Sequence, residues 1–277
     1  MNLTELIRAA IVEDLPHGDL TTESMGLTPK MGRARLLAKQ DLILSGSPAF
    51  EEAILYLEPG AKLKWHFEEG HAVLNRQIIC TVQGDLVQIV KAERVALNFM
   101  MRLSGIATLT GKFVQQVKGT RTAILDTRKT IPGYRDLEKK AVVHGGGKNH
   151  RRSLSEAILI KNNHITLARG IRPAVERIRV NTDQAIKVEV RTLEDVKECV
   201  KLRVQGILFD NMDNQTMSRA LKLIPPEMKM EIEASGNMTL ERVESVAKLG
   251  VANISIGALT HSAPAADLSL VFDGEGL

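Results

Sequence analysis

The sequence predicts an α/β protein, an incomplete parallel α/β barrel preceded by a small N-terminal α+β sandwich domain. Beyond residue 107, short apolar runs alternate with amphipathic segments of helix length, the pattern of βαβ units in a parallel sheet. Each of those runs ends in polar residues, as strands do when they open on one functional face. The first hundred residues differ, with β-like runs separated by Gly46, Pro48, Pro59, Gly60, Gly70, Gly84 and Asp85.

Taken in order, Leu3, Leu6, Ile7, Ala10 and Ile11 are spaced for a helix over residues 3–13, and Pro16-His17-Gly18-Asp19 reads as a turn. Strands follow at Arg33 to Lys39, Leu42 to Leu44, Lys62 to Phe67 and Ile78 to Val82, with a helix at about Ser47 to Leu57 between them. Ile89, Ala92, Ala96, Phe99, Leu103 and Ile106 fall on one face of a long helix from Leu86 to Ile106, expected to link the domains. The expected division is residues 1–106, including that helix, and residues 107–277, with the last residues free to return to the first domain.

In the second part the expected strands are Ala123 to Leu125, Ala157 to Ile160, Ile186 to Val190, Ile207 to Phe209, Met230 to Ala234 and Ile254 to Ile256. Helices fit at about 134–144, 169–179, 193–203, 214–224 and 239–249. Six strands suit an incomplete barrel; an open doubly wound sheet is the alternative.

Composition narrows the function classes. A hydrophobic share of 44% and a charged share of 25% describe an ordinary globular enzyme. No apolar run reaches the roughly 20 residues a membrane helix needs, and the acidic start lacks the basic flank of a signal peptide. Cys80 and Cys199 are far apart, which suits a reducing cytoplasm. The net charge of +4 raises the question of nucleic acid, but an aromatic share of 3% leaves no stacking platform. The positive charge is instead local: between Arg121 and Lys161 there are ten basic residues against four acidic ones, a bias that favours a polyanionic small molecule.

The strand ends supply the chemistry. Asp126-Thr127-Arg128-Lys129 follows the first, Lys161-Asn162-Asn163-His164 the second, Glu189 lies in the third and Asp210-Asn211 ends the fourth. Ser235-Gly236-Asn237 ends the fifth and Ser255-Ile256-Gly257 the sixth. Arginine grips carboxylates and phosphates in a bidentate fork, and lysine does so as a mobile point charge. Serine–glycine turns on the last two strands can surround a phosphate with backbone N–H groups. Glu189 and Asp210 form a carboxylate pair for Mg²⁺, ribose hydroxyls or a developing cation, and either also fits a structural place at a strand end.

The run His144-Gly145-Gly146-Gly147-Lys148-Asn149-His150-Arg151-Arg152 is not a phosphate-binding P-loop, because Asn149 follows Gly147-Lys148. It is not a serine hydrolase's oxyanion loop, because the chain has no G-x-S-x-G elbow. Nor does it hold enough ligands for zinc. It reads as a flexible glycine loop that delivers His150 and Arg151 to an anion.

These residues carry a resemblance. Gly18-Asp19-Leu20-Thr21-Thr22, Glu93-Arg94-Val95-Ala96-Leu97-Asn98, Leu103-Ser104-Gly105, Asp126-Thr127-Arg128-Lys129-Thr130, Asn149-His150-Arg151, Ile160-Lys161, Glu189-Val190, Asp210-Asn211-Met212, Glu233-Ala234-Ser235-Gly236 and Gly257-Ala258-Leu259-Thr260-His261 stand in the order found in the quinolinate phosphoribosyltransferases. The sequence resembles that family over nearly its whole length. The resemblance implies conversion of quinolinate and phosphoribosyl pyrophosphate to nicotinate mononucleotide, pyrophosphate and CO₂ with Mg²⁺ and no organic cofactor. It implies a homodimer, or a larger assembly of dimers, in which Arg94 completes the partner's site. By position, Thr127, Arg128, Lys129, His150, Arg151 and Lys161 would line the acid and pyrophosphate pocket. Glu189 and Asp210 would face the ribose and the metal, directly or through water; Ser235, Gly236, Asn237, Ser255, Ile256 and Gly257 would hold the 5′-phosphate. Lys129, Lys161, Glu189 and Asp210 are the expected catalytic groups.

Three other readings stay in view. A barrel aldolase could use Lys161 as a Schiff-base nucleophile, although one imine does not need so many cations. A non-catalytic nucleic-acid or phosphate binder would show salt-sensitive binding without turnover. Nicotinate or a related acid could replace quinolinate.

Overall fold

The computed structural model describes residues 2–273. In chain order the elements are α1 (Leu3–Asp14), α2 (Leu20–Ser24), β1 (Met31–Ala38), β2 (Leu42–Ile43), α3 (Ser47–Leu57), β3 (Lys62–Trp65), β4 (Ala72–Val73), β5 (Ile78–Asp85) and the long α4 (Leu86–Gln116). Next come β6 (Ala123–Leu125), α5 (Arg135–His144), β7 (Ile158–Ile160), α6 (Asn162–Ala168), α7 (Ile171–Asn181), β8 (Ile186–Val190), α8 (Leu193–Lys201) and β9 (Gly206–Asp210). The chain continues through α9 (Asn214–Leu221), β10 (Glu231–Ser235), α10 (Leu240–Ala247), β11 (Asn253–Ser255), α11 (Ala258–His261) and β12 (Leu268–Phe272). The last residues, 274–277, lie outside the described ones, so the expected return of the chain end is visible only as far as β12.

The chain forms two compact units. Among the described residues, the first gathers 2–111, 130–146 and 262–273. It is built on an antiparallel sheet in the order β12-β1-β5-β3, with the short β2–β4 ladder beside it. Along β1, buried Ala34, Leu36 and Ala38 alternate with more exposed neighbours, so one face of the sheet is turned inward. Phe50 and Ile54 from α3 and Ile89 and Phe99 from α4 belong to the same core. Trp65 stands edge-on to Phe50 at 5.8 Å and donates its indole N–H to Glu51. The buried Glu138 of α5 is held by Arg102 of α4 at 2.7 Å.

The second unit gathers residues 112–129 and 147–261 around six parallel strands in the order β6-β11-β10-β9-β8-β7. The two outer strands, β6 and β7, are not paired with each other, which leaves the barrel incomplete. Strand β9 is buried along almost its whole length, as a central parallel strand should be. Helix starts are fixed locally: Thr192 and Asp195 form a capping box for α8, and Asp213 caps α9.

Several boundaries differ from those the sequence predicts. The linking helix runs on to Gln116 rather than stopping at Ile106, because Thr108 and Thr110 return their hydroxyls to the carbonyls of Ser104 and Ile106. Their polar groups are satisfied inside the helix instead of ending it. Three short helices, α2, α6 and α11, and strands β4 and β12 have no counterpart among the predicted elements. Strand β12 is recruited by pairing with β1, a partner more than two hundred residues away in sequence.

Candidate active site

The C-terminal strand ends of the second unit surround a cavity of about 520 Å³. That is a suitable size for small-molecule substrates. Around the mouth, β11 and β10 present Ser255-Ile256-Gly257 and Ser235-Gly236-Asn237, β9 presents Asp210, β8 Glu189 and β7 Lys161. Thr127, Arg128 and Lys129 follow β6.

His150 and Arg151 fill the gap between the outer strands. Lys148 runs beside β6, donating its backbone N–H to Ile124 at 2.8 Å and accepting from Asp126 at 3.2 Å. Buried Asp126 accepts the His150 backbone N–H at 2.9 Å, and the Arg151 guanidinium donates to the Ala157 carbonyl, just ahead of β7, at 2.6 Å. The glycine loop expected to be flexible is therefore pinned on its second-unit side by main-chain bonds. Its beginning serves another purpose: within the first unit, His144 lies 2.8 Å from Glu69, which in turn accepts the Gly46 and Ser47 N–H groups at the start of α3.

Each expected site residue except Arg94 lines this cavity. Arg94 lies exposed on α4 and is not among the described lining residues. Local bonds hold the loops in place. Thr127 accepts the Lys129 N–H at 3.0 Å, and the Thr260 hydroxyl donates to the Lys129 carbonyl at 2.8 Å. The Lys161 N–H donates to His164 Nδ1 at 3.0 Å. Gly236 has φ +91°, and a side chain there would meet Asn211 at 2.2 Å. The turn therefore requires glycine.

Charge is sorted around the ring. Burial and the nearby guanidinium of Arg128 both lower the Arg151 pKa from its ordinary value. Crowded cations of this kind are relieved by an anion. Opposite them, Asp210 accepts from Asn211 at 3.0 Å and from Arg191 at 2.9 Å, and Arg191 also comes within 3.6 Å of Glu189.

Two ionisable lining groups had no role assigned in the sequence reading: His261 on α11 and Glu233 in β10. Glu233 is fully buried and paired with Lys187 at 2.7 Å. Its two-residue spacing from Ser235 puts both on one strand face, and it stands in the motif Glu233-Ala234-Ser235-Gly236 that carries the resemblance. Among the described residues, no group of three or more His, Cys, Asp or Glu could hold a metal alone. Two carboxylates with oxygen donors only suit an ion that takes its other ligands from substrate phosphates and water.

Two family models match the chain. "Quinolinate phosphoribosyl transferase, N-terminal domain" matches residues 19–104, and "Quinolinate phosphoribosyl transferase, C-terminal domain" matches residues 106–271. The chain is 40% identical over 263 residues to a probable nicotinate-nucleotide pyrophosphorylase [carboxylating] of Synechocystis, covering 94% of this chain and 89% of that protein. It is 36% identical to the Bacillus subtilis protein of the same description, covering 98% and 93%. The crystal structure of nicotinate-nucleotide pyrophosphorylase from Ehrlichia chaffeensis superposes with a TM-score of 0.93 at 33% identity, covering 99% of both chains.

Proposed function

The chain belongs to the quinolinate phosphoribosyltransferase family, and on that premise we propose that it is a pentosyltransferase of de novo NAD synthesis. It transfers the phosphoribosyl group of phosphoribosyl pyrophosphate to quinolinate, releasing pyrophosphate and CO₂ and leaving nicotinate mononucleotide. The observation that carries this reading is the sorting of charge around one cavity, with cations at the β6–β7 gap, carboxylates on β8 and β9, and serine–glycine turns on β10 and β11.

In this reading Arg128, His150, Arg151 and Lys161 grip the two carboxylates of the acid and aim its ring nitrogen at the sugar carbon, an orientation effect. Ser235 to Asn237 and Ser255 to Gly257 hold the 5′-phosphate with backbone N–H groups, and Thr127 and Lys129 bind the pyrophosphate. As the carbon–pyrophosphate bond breaks, positive charge grows on the sugar, and Glu189 and Asp210 stabilise it while binding the ribose hydroxyls. The same two carboxylates would hold Mg²⁺, directly or through water, and the ion would neutralise the departing pyrophosphate. Phosphoribosyltransferases generally use a divalent metal; the choice of Mg²⁺ rests on the oxygen-only donors. Once glycosylated, the ring nitrogen is cationic and accepts the electron pair left as the adjacent carboxylate departs as CO₂.

The reading includes a homodimer in which Arg94 completes the partner's cavity. It is supported by the exposure of Arg94 on α4. It divides the chain at residues 106 and 107, supported by family models that meet between residues 104 and 106. A cytoplasmic location is supported by two free, buried cysteines, and no described helix is long and apolar enough to cross a membrane.

Incubation with quinolinate, phosphoribosyl pyrophosphate and Mg²⁺ should yield the mononucleotide and CO₂ in equal amounts. CO₂ released from quinolinate without the sugar substrate would contradict decarboxylation after transfer, and absence of product would reject the reading.

A further inference from the structure

Glu233 takes no part in the chemistry above, yet its carboxylate is fully buried at the cavity wall. A buried charge needs close partners. Oε2 has two, Lys187 Nζ at 2.7 Å and His150 Nε2 at 3.5 Å, whereas Oε1 has no hydrogen-bond partner. The whole pairing of this carboxylate therefore runs through one oxygen. Strand register accounts for the depth. Glu233 lies beside Leu208 while Ser235 lies beside Asp210, so Glu233 stands one layer beneath the residues that meet substrate. Beneath it, Lys187 also contacts Glu231 at 3.0 Å, and Glu231 accepts from Asn253 at 2.6 Å. A continuous line of polar groups thus rises from the first residues of the strands to His150.

The other side of the imidazole is fixed as well. His150 Nδ1 accepts the Arg151 backbone N–H at 2.7 Å. That nitrogen is an acceptor, so the proton of the neutral ring is on Nε2, the atom that faces Glu233. The bond to the ring also ties the Arg151 backbone to the position of the imidazole.

We propose that Glu233 is a positioning residue: its Oε2 fixes His150 as the Nε2–H tautomer and sets the pose from which His150 and Arg151 meet the acid, with Lys187 as the counter-ion. Calling the ligand an acid rests on the phosphoribosyltransferase reading; the link between Glu233 and the tautomer does not. The sequence offers no such assignment, because cross-strand partners at this depth depend on register.

The test combines nitrogen-15 NMR of the His150 imidazole in the unliganded protein with steady-state kinetics on the same preparations. The unaltered protein should show Nε2 protonated and Nδ1 bare. Glu233→Leu leaves the Arg151 N–H alone to hold the tautomer, so a share of the Nδ1-protonated form should appear. Glu233→Gln retains an acceptor without charge, so it should keep the tautomer and move the hydrogen-bonded Nε2 proton upfield. The KM for quinolinate should rise roughly tenfold with leucine and about threefold with glutamine, the size of one lost or weakened charged hydrogen bond. The KM for phosphoribosyl pyrophosphate should change less than about twofold, since Glu233 touches none of the groups assigned to it. An imidazole spectrum indifferent to both substitutions, or two KM values that rise together, would overturn the proposal. If the leucine variant does not fold, the glutamine variant decides through its Nε2 proton. Lack of turnover by the unaltered protein would reject the enzymatic reading while leaving the NMR result to judge the Glu233–His150 link.

Discussion

Arg191, just after β8, reaches Asp210 at the end of β9 with its Nε and Nη2 atoms 2.9 Å and 2.7 Å from Oδ2. The same guanidinium lies 3.6 Å from Glu189, so one half-exposed cation spans both proposed metal-facing carboxylates. Any divalent ion must compete with it. Removing it should strengthen ion binding before substrate arrives, only modestly because the arginine is solvent-screened. Arg191→Ala should tighten Mn²⁺ binding, measured by water proton relaxation, by about threefold, the equivalent of roughly 0.6 kcal/mol. Weaker Mn²⁺ binding would show that Arg191 organises the carboxylates instead of competing for them.

The turn after β10 gives a second prediction. Gly236 combines φ +91° with a Cβ position 2.2 Å from the Asn211 side chain and 2.9 Å from its backbone nitrogen. Gly250 has nearly the same φ, +90°, with nothing within 4 Å. Gly250→Ala should cost about 1 kcal/mol of backbone strain and leave kinetics unchanged. Gly236→Ala adds the clash, for a total of about 2–4 kcal/mol, and should lower Tm by roughly 5–10 °C. It should also raise the KM for phosphoribosyl pyrophosphate by displacing the proposed phosphate turn. Equal Tm values for the two variants would show that the turn relaxes around the added methyl.

The sites of these turns are legible in the sequence. β6 and β8 coincide with the predicted strands Ala123 to Leu125, an apolar run between Thr122 and Asp126, and Ile186 to Val190, where apolar and charged residues alternate. The functional face follows from what comes after each run, since parallel strands must all open the same way. Other features depend on information that periodicity does not carry. Thr108 and Thr110 bond back within α4, which carries the helix past its predicted end at Ile106. The His144 glycine run looks like ligand-binding loop along its length, but His144 serves Glu69 in the first unit. The Glu233–Lys187 pair needs the register of β8, β9 and β10, which no local pattern specifies.

A third prediction concerns the proposed sharing of Arg94. Arg94→Ala removes the cation given to the partner, and Lys161→Ala disables the chain's own cavity; each alone should be nearly inactive. Mixed in equal amounts and allowed to exchange, half the dimers become hybrids, each with one intact site, so activity should recover to roughly a quarter of the unaltered level. Recovery should follow subunit exchange in time. Complete silence, with exchange verified by native mass spectrometry, would place Arg94 outside a shared site.

The ionisation of Glu233 makes the last prediction one of stability against pH. Burial alone would raise its pKa, but the hydrogen bond from His150 and the charge of Lys187 outweigh burial and hold it at about 2, against an ordinary 4.5. With the folded value depressed, the unfolded chain binds the extra proton between these limits, so stability rises with pH there. The contribution is complete above the ordinary value and is lost as pH falls towards the folded one. In full it is worth about 3 kcal/mol. Glu233→Gln cannot titrate at this position, so its deficit relative to the unaltered protein should be widest near neutrality. The gap should narrow by about 1 kcal/mol between roughly pH 5.5 and 3.5, read by urea unfolding at each pH. A gap of constant size across that range would mean that Glu233 titrates alike in the folded and unfolded chains, and a gap that widened on acidification would mean that it stays protonated in the folded protein.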